Sequence, residues 1–65
     1  MMLRELYIYL KRNYYCGKFN RCMLSLELDM PKELVTKRLS KLKKQGVIYL
    51  LDKEPHNYKL NPEWL

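Results

Sequence analysis

Few side chains in this 65-residue sequence are of a kind that performs covalent chemistry. There is one histidine, His56, and there are two cysteines, Cys16 and Cys22. A zinc site takes four ligands at regular spacing, and His56 lies far along the chain from both thiols, so no metal is expected. No nucleophile sits beside a base in the sequence and no glycine-rich run could cradle a phosphate, so neither catalysis nor a cofactor is expected. A disulfide between Cys16 and Cys22 requires a compartment that tolerates one, and the plainer reading is two small free thiols. The residues that do accumulate are cationic, and their chemistry is the neutralisation of a polyanion.

The formal net charge is +6, and its location says more than its size. Residues 31–46 carry Lys32, Lys37, Arg38, Lys41, Lys43 and Lys44 against the single carboxylate of Glu33, a net +5. Residues 1–30 contribute +2 and residues 47–65 contribute −1. One short stretch therefore holds nearly all the excess, which is the electrostatic footprint of a protein that binds a polyanion.

The elements that must position these cations follow from periodicity. Leu3, Leu6, Tyr7, Leu10 and Tyr14 recur at helical spacing and predict a helix over about 2–13, with Met2, Ile8 and Tyr9 beside the stripe. Gly17 breaks the period in YYCGKF (residues 14–19), a segment short enough to extend and pair with a later hairpin. Asn20 is placed to cap a short helix reaching about Leu28. Asp29-Met30-Pro31 ends it, and Pro31 suits the first turn of a new helix continuing through Lys44. Val35, Leu39 and Leu42 form the buried stripe of that helix, and Gly46 is placed as its left-handed stop. Val47 to Leu51 and Asn57 to Leu60 then alternate with period two. They predict a hairpin with a loop of about five residues, Asp52 to His56, and with Ile48, Leu50, Tyr58 and Leu60 toward the helices. The fold class is mainly α with a C-terminal β-hairpin, in one domain spanning residues 1–65.

Only a few residues separate the second and third helices, the spacing of a helix-turn-helix. The run LSLELDMPKELVTKRLSKLKKQGVI, Leu24 to Ile48, resembles the winged helix-turn-helix regulators of the MarR and ArsR kind. The resemblance rests on Leu24, Ser25 and Leu28 in the second helix, and Val35, Leu39 and Leu42 in the third. Gly46, Val47 and Ile48 then open the wing. Two positions depart from the pattern: Asp29 replaces the usual glycine at the turn, and Leu26 sits where a charge is common. With the hairpin included, the likeness covers about two-thirds of the chain. It implies a sequence-specific, double-stranded DNA-binding transcriptional regulator whose third helix enters the major groove. Chains of this economy are similar to regulators carried by viruses or plasmids, often of archaea.

The packed stripe fixes what such a helix would present. Glu33, Lys37, Ser40 and Lys44 point away from Val35, Leu39 and Leu42, with Thr36 and Lys41 beside them. Lys32, Glu33, Thr36 and Lys37, nearer the N-terminus, are assigned to base edges, and Lys41, Lys43 and Lys44 to phosphates. The hairpin tip, Asp52-Lys53-Glu54, is net negative, so Lys53 is its one cationic contact, with His56 and Asn57 beside it. The six tyrosines are scattered, and they read as core or interface packing rather than a stacking platform for single strands.

A chain this short builds a marginal core, and apolar groups are left over. Met2, Ile8, Tyr9, Trp64 and Leu65 are assigned to a homodimer interface, which would also pair two reading helices. Charged residues interrupt the N-terminus before a leader-like apolar run forms, and nothing approaches a membrane span. A cytoplasmic protein of a prokaryote, or of a virus in its host cell, is expected, with no small-molecule effector. The rival reading is a winged-helix protein-interaction module within a transcription or replication assembly.

Overall fold

The computed structural model describes residues 2–64, and the side chains of all of these except residues 54 and 55. Three helices precede an antiparallel hairpin: α1 (Leu3–Asn13), α2 (Arg21–Leu28), α3 (Lys32–Lys44), β1 (Ile48–Leu51) and β2 (Glu54–Leu60). A short 3-10 turn over Pro62–Trp64 follows. The architecture is a small α+β fold with the hairpin at its C-terminal end.

Each helix boundary has a local cause. Lys11 and Arg12 occupy the last turn of α1, where cations complement the helix dipole. Asn20 caps α2, its side-chain oxygen accepting from the Met23 N–H at 2.9 Å. Asp29 closes α2 in the left-handed region at φ 52°, ψ 49°, a conformation Asp tolerates better than most residues. The Ser25 hydroxyl donates to the Met30 carbonyl at 2.6 Å and fastens the turn from below. Pro31 stands one step earlier than expected, as the cap of α3 rather than its first residue. At the other end Gly46 adopts φ 81°. Its N–H donates to the Lys43 carbonyl and that of Val47 to the Leu42 carbonyl, both at 3.0 Å. Those two bonds are the Schellman pattern, which satisfies carbonyls the helix leaves unpaired.

The hairpin pairs Ile48 with Leu60 and Leu50 with Tyr58, so the four residues expected to face the helices share one side. Its loop is tighter than the sequence suggests. Leu51 stands opposite Glu54, leaving only Asp52 and Lys53 in the turn, and the register shifts between Leu50 and Leu51. The extra residues of β2 form an irregular stretch, and Pro55, which has no N–H for a ladder, falls within it. Phe19 joins the sheet by an isolated bridge: its N–H donates to the Tyr58 carbonyl at 3.0 Å, and the Tyr58 N–H returns a bond of 2.8 Å.

The core is one cluster of Leu6, Leu10, Phe19, Leu24, Val35, Leu39, Leu42, Val47, Ile48 and Leu60. Every element except the C-terminal turn contributes to it. Phe19 is completely buried, between the rings of Tyr14 at 5.7 Å and Tyr58 at 6.0 Å. Burying such a ring contributes about 1.5–3 kcal/mol, so this loop residue is as much a part of the fold as any helix. No described helix is long and apolar enough to cross a membrane.

Candidate nucleic-acid interface

Packing of α3 decides which of its side chains meet solvent. Val35, Leu39 and Leu42 are buried against α1, α2 and the hairpin. The opposite face is open: Lys32, Glu33, Lys37, Ser40, Lys41, Lys43 and Lys44 are all exposed, and Thr36 is half-buried. Eight of the nine side chains assigned to nucleic acid from sequence therefore share α3. Their shared face is polar and cationic along its whole length.

Two shallow depressions run beside this helix. Ser40, Lys41, Lys43 and Lys44 line one with Tyr58 of the hairpin. Lys32, Glu33, Thr36 and Lys37 line the other with Arg21, the first residue of α2. Arg21 was not distinguishable as a site residue from sequence, because a lone arginine opening a short helix carries no pattern. It is the fold that brings it to the N-terminal half of α3.

The hairpin flanks the helix but is held by its base. Asn20 Nδ2 donates to Asn57 Oδ1 at 3.0 Å, and the Phe19–Tyr58 bridge runs alongside. His56 is thereby carried to Arg21, and the two line a depression with Asn20 and Cys22. They also line one with Thr36, Leu39 and Tyr58. Lys53 is exposed in the tip turn and lines none of these depressions.

The residues assigned to a dimer interface are spread differently from the expectation. Met2 is 72% exposed, Ile8 41% and Trp64 48%. Tyr9, by contrast, packs partly against the core and donates its hydroxyl to Glu27 at 2.5 Å, so it has a place within the single chain. The tail returns to α1 as well, since the Tyr7 hydroxyl donates to the Trp64 carbonyl at 2.6 Å. Leu65 lies outside the described residues.

Glu27 is the other notable polar centre. It accepts from both Tyr9 and Tyr14, and these bonds hold its carboxyl below the usual range, that from Tyr14 most. Partial burial, then the Glu27 bond, pushes the Tyr14 hydroxyl up to about 12. The cluster ties α1 to α2 and faces no cation of α3 in any depression described above. Cys16 and Cys22 are free and exposed. Among the described residues no three His, Cys, Asp or Glu side chains come together as metal ligands would.

Searches among protein-family models, curated proteins and solved structures gave no match to this chain.

Proposed function

We propose that this chain is a winged helix-turn-helix protein that binds double-stranded DNA, laying α3 in the major groove, and that it regulates transcription from the site it reads. One observation carries the reading. Five exposed lysines and one exposed carboxylate belong to a helix whose stripe of Val35, Leu39 and Leu42 is buried, so the charge is displayed on a convex, rod-like face. The major groove admits one α-helix, and its walls are phosphates. The left-handed turn at Asp29 sets α3 directly after α2, as a groove-reading helix requires. Lys32, Glu33, Thr36 and Lys37 would approach base edges. Lys41, Lys43 and Lys44 would meet the backbone.

The test is binding to random duplex DNA across a salt series. Each phosphate neutralised adds about 0.9 to the log–log slope. Two or three lysines per protomer, in a pair of protomers, give a slope of about −3.6 to −5.4 by that same factor. A slope close to zero, or equal preference for single strands, overturns the reading.

A second reading has its own observation. Leu26 is 86% exposed on α2 and Met23 on the same helix 37%, an apolar pair outside the cationic face. They favour a protein contact, as in a winged-helix module docked in a larger assembly. Leu26→Lys separates the two readings: a DNA-reading protein keeps its duplex affinity, whereas a docking module loses its partner.

A further inference from the structure

We infer that Arg21 of α2 and His56 of β2 together form a bay for one backbone phosphodiester of the duplex. The hairpin would then grip DNA through the base of its second strand and not through its tip. The inference rests on the reading of α3 as the groove-bound helix and adds to it a contact from a different part of the fold.

The argument begins with position. Arg21 lines three adjoining depressions: with Lys32, Glu33, Thr36 and Lys37, with Thr36, His56 and Tyr58, and with Asn20, Cys22 and His56. Shared lining residues make these one continuous trough from the start of α3 to β2. Around its α3 end three cations, Arg21, Lys32 and Lys37, face the single carboxylate of Glu33. With α3 filling a groove about 12 Å wide, side chains projecting from its flank meet the phosphate wall and not the bases. Arg21 stands on that flank.

The chemistry of the two side chains fits the same target. A guanidinium offers two parallel N–H donors to a phosphate, and imidazole supplies a further N–H. Arg21 also opens α2, whose N-terminal dipole favours an anion. The bay is held rigidly, because the Asn20–Asn57 bond and the paired Phe19–Tyr58 backbone bonds fix β2 against the start of α2. The tip, by contrast, has Asp52 and Glu54 around Lys53, and its charge disfavours the backbone.

The experiment is the salt series repeated for Arg21→Gln, Arg21→Lys and His56→Gln, combined with ethylation interference on the preferred duplex. Arg21→Gln should reduce the slope by about 0.9 per protomer on every sequence, leaving the preferred site unchanged. Arg21→Lys should restore the slope. Wild type should be blocked by ethylation of a flanking phosphate to which Arg21→Gln is insensitive, and His56→Gln should weaken that same interference. If the wild type binds duplex steeply while Arg21→Gln keeps its full slope and its interference pattern, the bay is wrong and the α3 reading stands. Should wild type fail to bind duplex, both are overturned. An Arg21 effect seen only with single-stranded DNA or RNA overturns the bay as a duplex contact.

Discussion

Tyr14, one residue beyond α1, donates its hydroxyl to Glu27 on α2, and with the bond from Tyr9 of α1 to the same carboxylate it ties the two helices together outside the core. It makes stability depend on pH at both ends of the scale. Glu27 is held below its ordinary 4.5, by Tyr14 first and Tyr9 second. A carboxylate lowered on folding stabilises above that value, and its contribution is lost as pH falls through the lowered one. Tyr14 is raised from 10.0 to about 12, so its contribution is complete below 10 and fades as pH climbs toward 12. In Glu27→Gln the acid limb due to this residue should vanish. The alkaline limb should shrink without disappearing, because the partial burial of Tyr14 remains. Thermal midpoints taken from pH 3 to 11 would show it, and a variant with the wild-type profile would mean that the cluster is decorative.

How much of this was legible in the sequence depends on the range of the interaction. Asn20 as a cap, Gly46 as a left-handed stop and the stripe of Val35, Leu39 and Leu42 are local consequences of residue type and spacing, and each is where the sequence puts it. The facing pairs of the hairpin follow from alternation alone. The burial of Phe19 carried no such signal: the aromatics of YYCGKF follow no period, and its burial depends on Tyr58, far along the chain. The short hairpin turn was hidden for a related reason, since an irregular stretch absorbs residues that period-two counting assigns to a loop. Arg21 and His56 are joined only by the docking of β2 on the start of α2. The cations of α3 were legible because charge and helical period coincide in one segment.

Asp29 gives a direct handle on the turn before α3. Left-handed backbone costs an ordinary L-residue about 1–2 kcal/mol, and Asp less. Asp29→Gly relieves that strain but adds freedom to the unfolded chain. It should change stability by no more than about 1 kcal/mol in either direction. Asp29→Val should destabilise by at least about 1 kcal/mol, as a β-branched residue at positive φ. Chemical denaturation measures both. If Val is tolerated as well as Gly, the backbone at this turn is not left-handed in solution.

Lys37 and Lys44 share the outward face of α3 but lie two turns apart, and their losses should differ in kind. Lys37, near the N-terminus of the helix, is assigned to a base edge. Lys37→Ala should cost roughly 1–3 kcal/mol on the preferred duplex and much less on others. Lys44 lines a depression with Tyr58 of the hairpin and is assigned to a phosphate. Lys44→Ala should weaken all sequences alike and lower the salt slope by about 0.9. Selection of sites from random duplexes for each variant distinguishes them. Uniform loss in both places α3 wrongly along the groove.

On the proposed reading a single α3 would read only a few base pairs, so a pair of protomers is the arrangement that would give selectivity, with two reading helices roughly 34–36 Å apart. Met2, Ile8 and Trp64 are, of the groups assigned to a two-fold contact, those that are exposed, and large apolar groups left in water favour association. The structure also determines which substitution tests this without ambiguity. Tyr9→Glu would set a second carboxylate beside Glu27 and remove a bond between α1 and α2. Truncation after Asn61 would remove the Trp64 carbonyl that accepts from Tyr7, at about 0.5–1.5 kcal/mol. Both therefore disturb the monomer. Ile8 is 41% exposed and makes no such bond, so Ile8→Glu should leave the monomer's fold intact, with an unchanged far-ultraviolet circular-dichroism spectrum, while the thermal midpoint loses only what association contributed. Sedimentation at tens of micromolar should give dimers for wild type and monomers for Ile8→Glu, with weaker binding to a two-fold symmetric duplex and unaltered binding to a half-site. Wild-type monomers at that concentration without DNA would remove the interface from solution. An Ile8→Glu chain that still dimerises would move it away from α1.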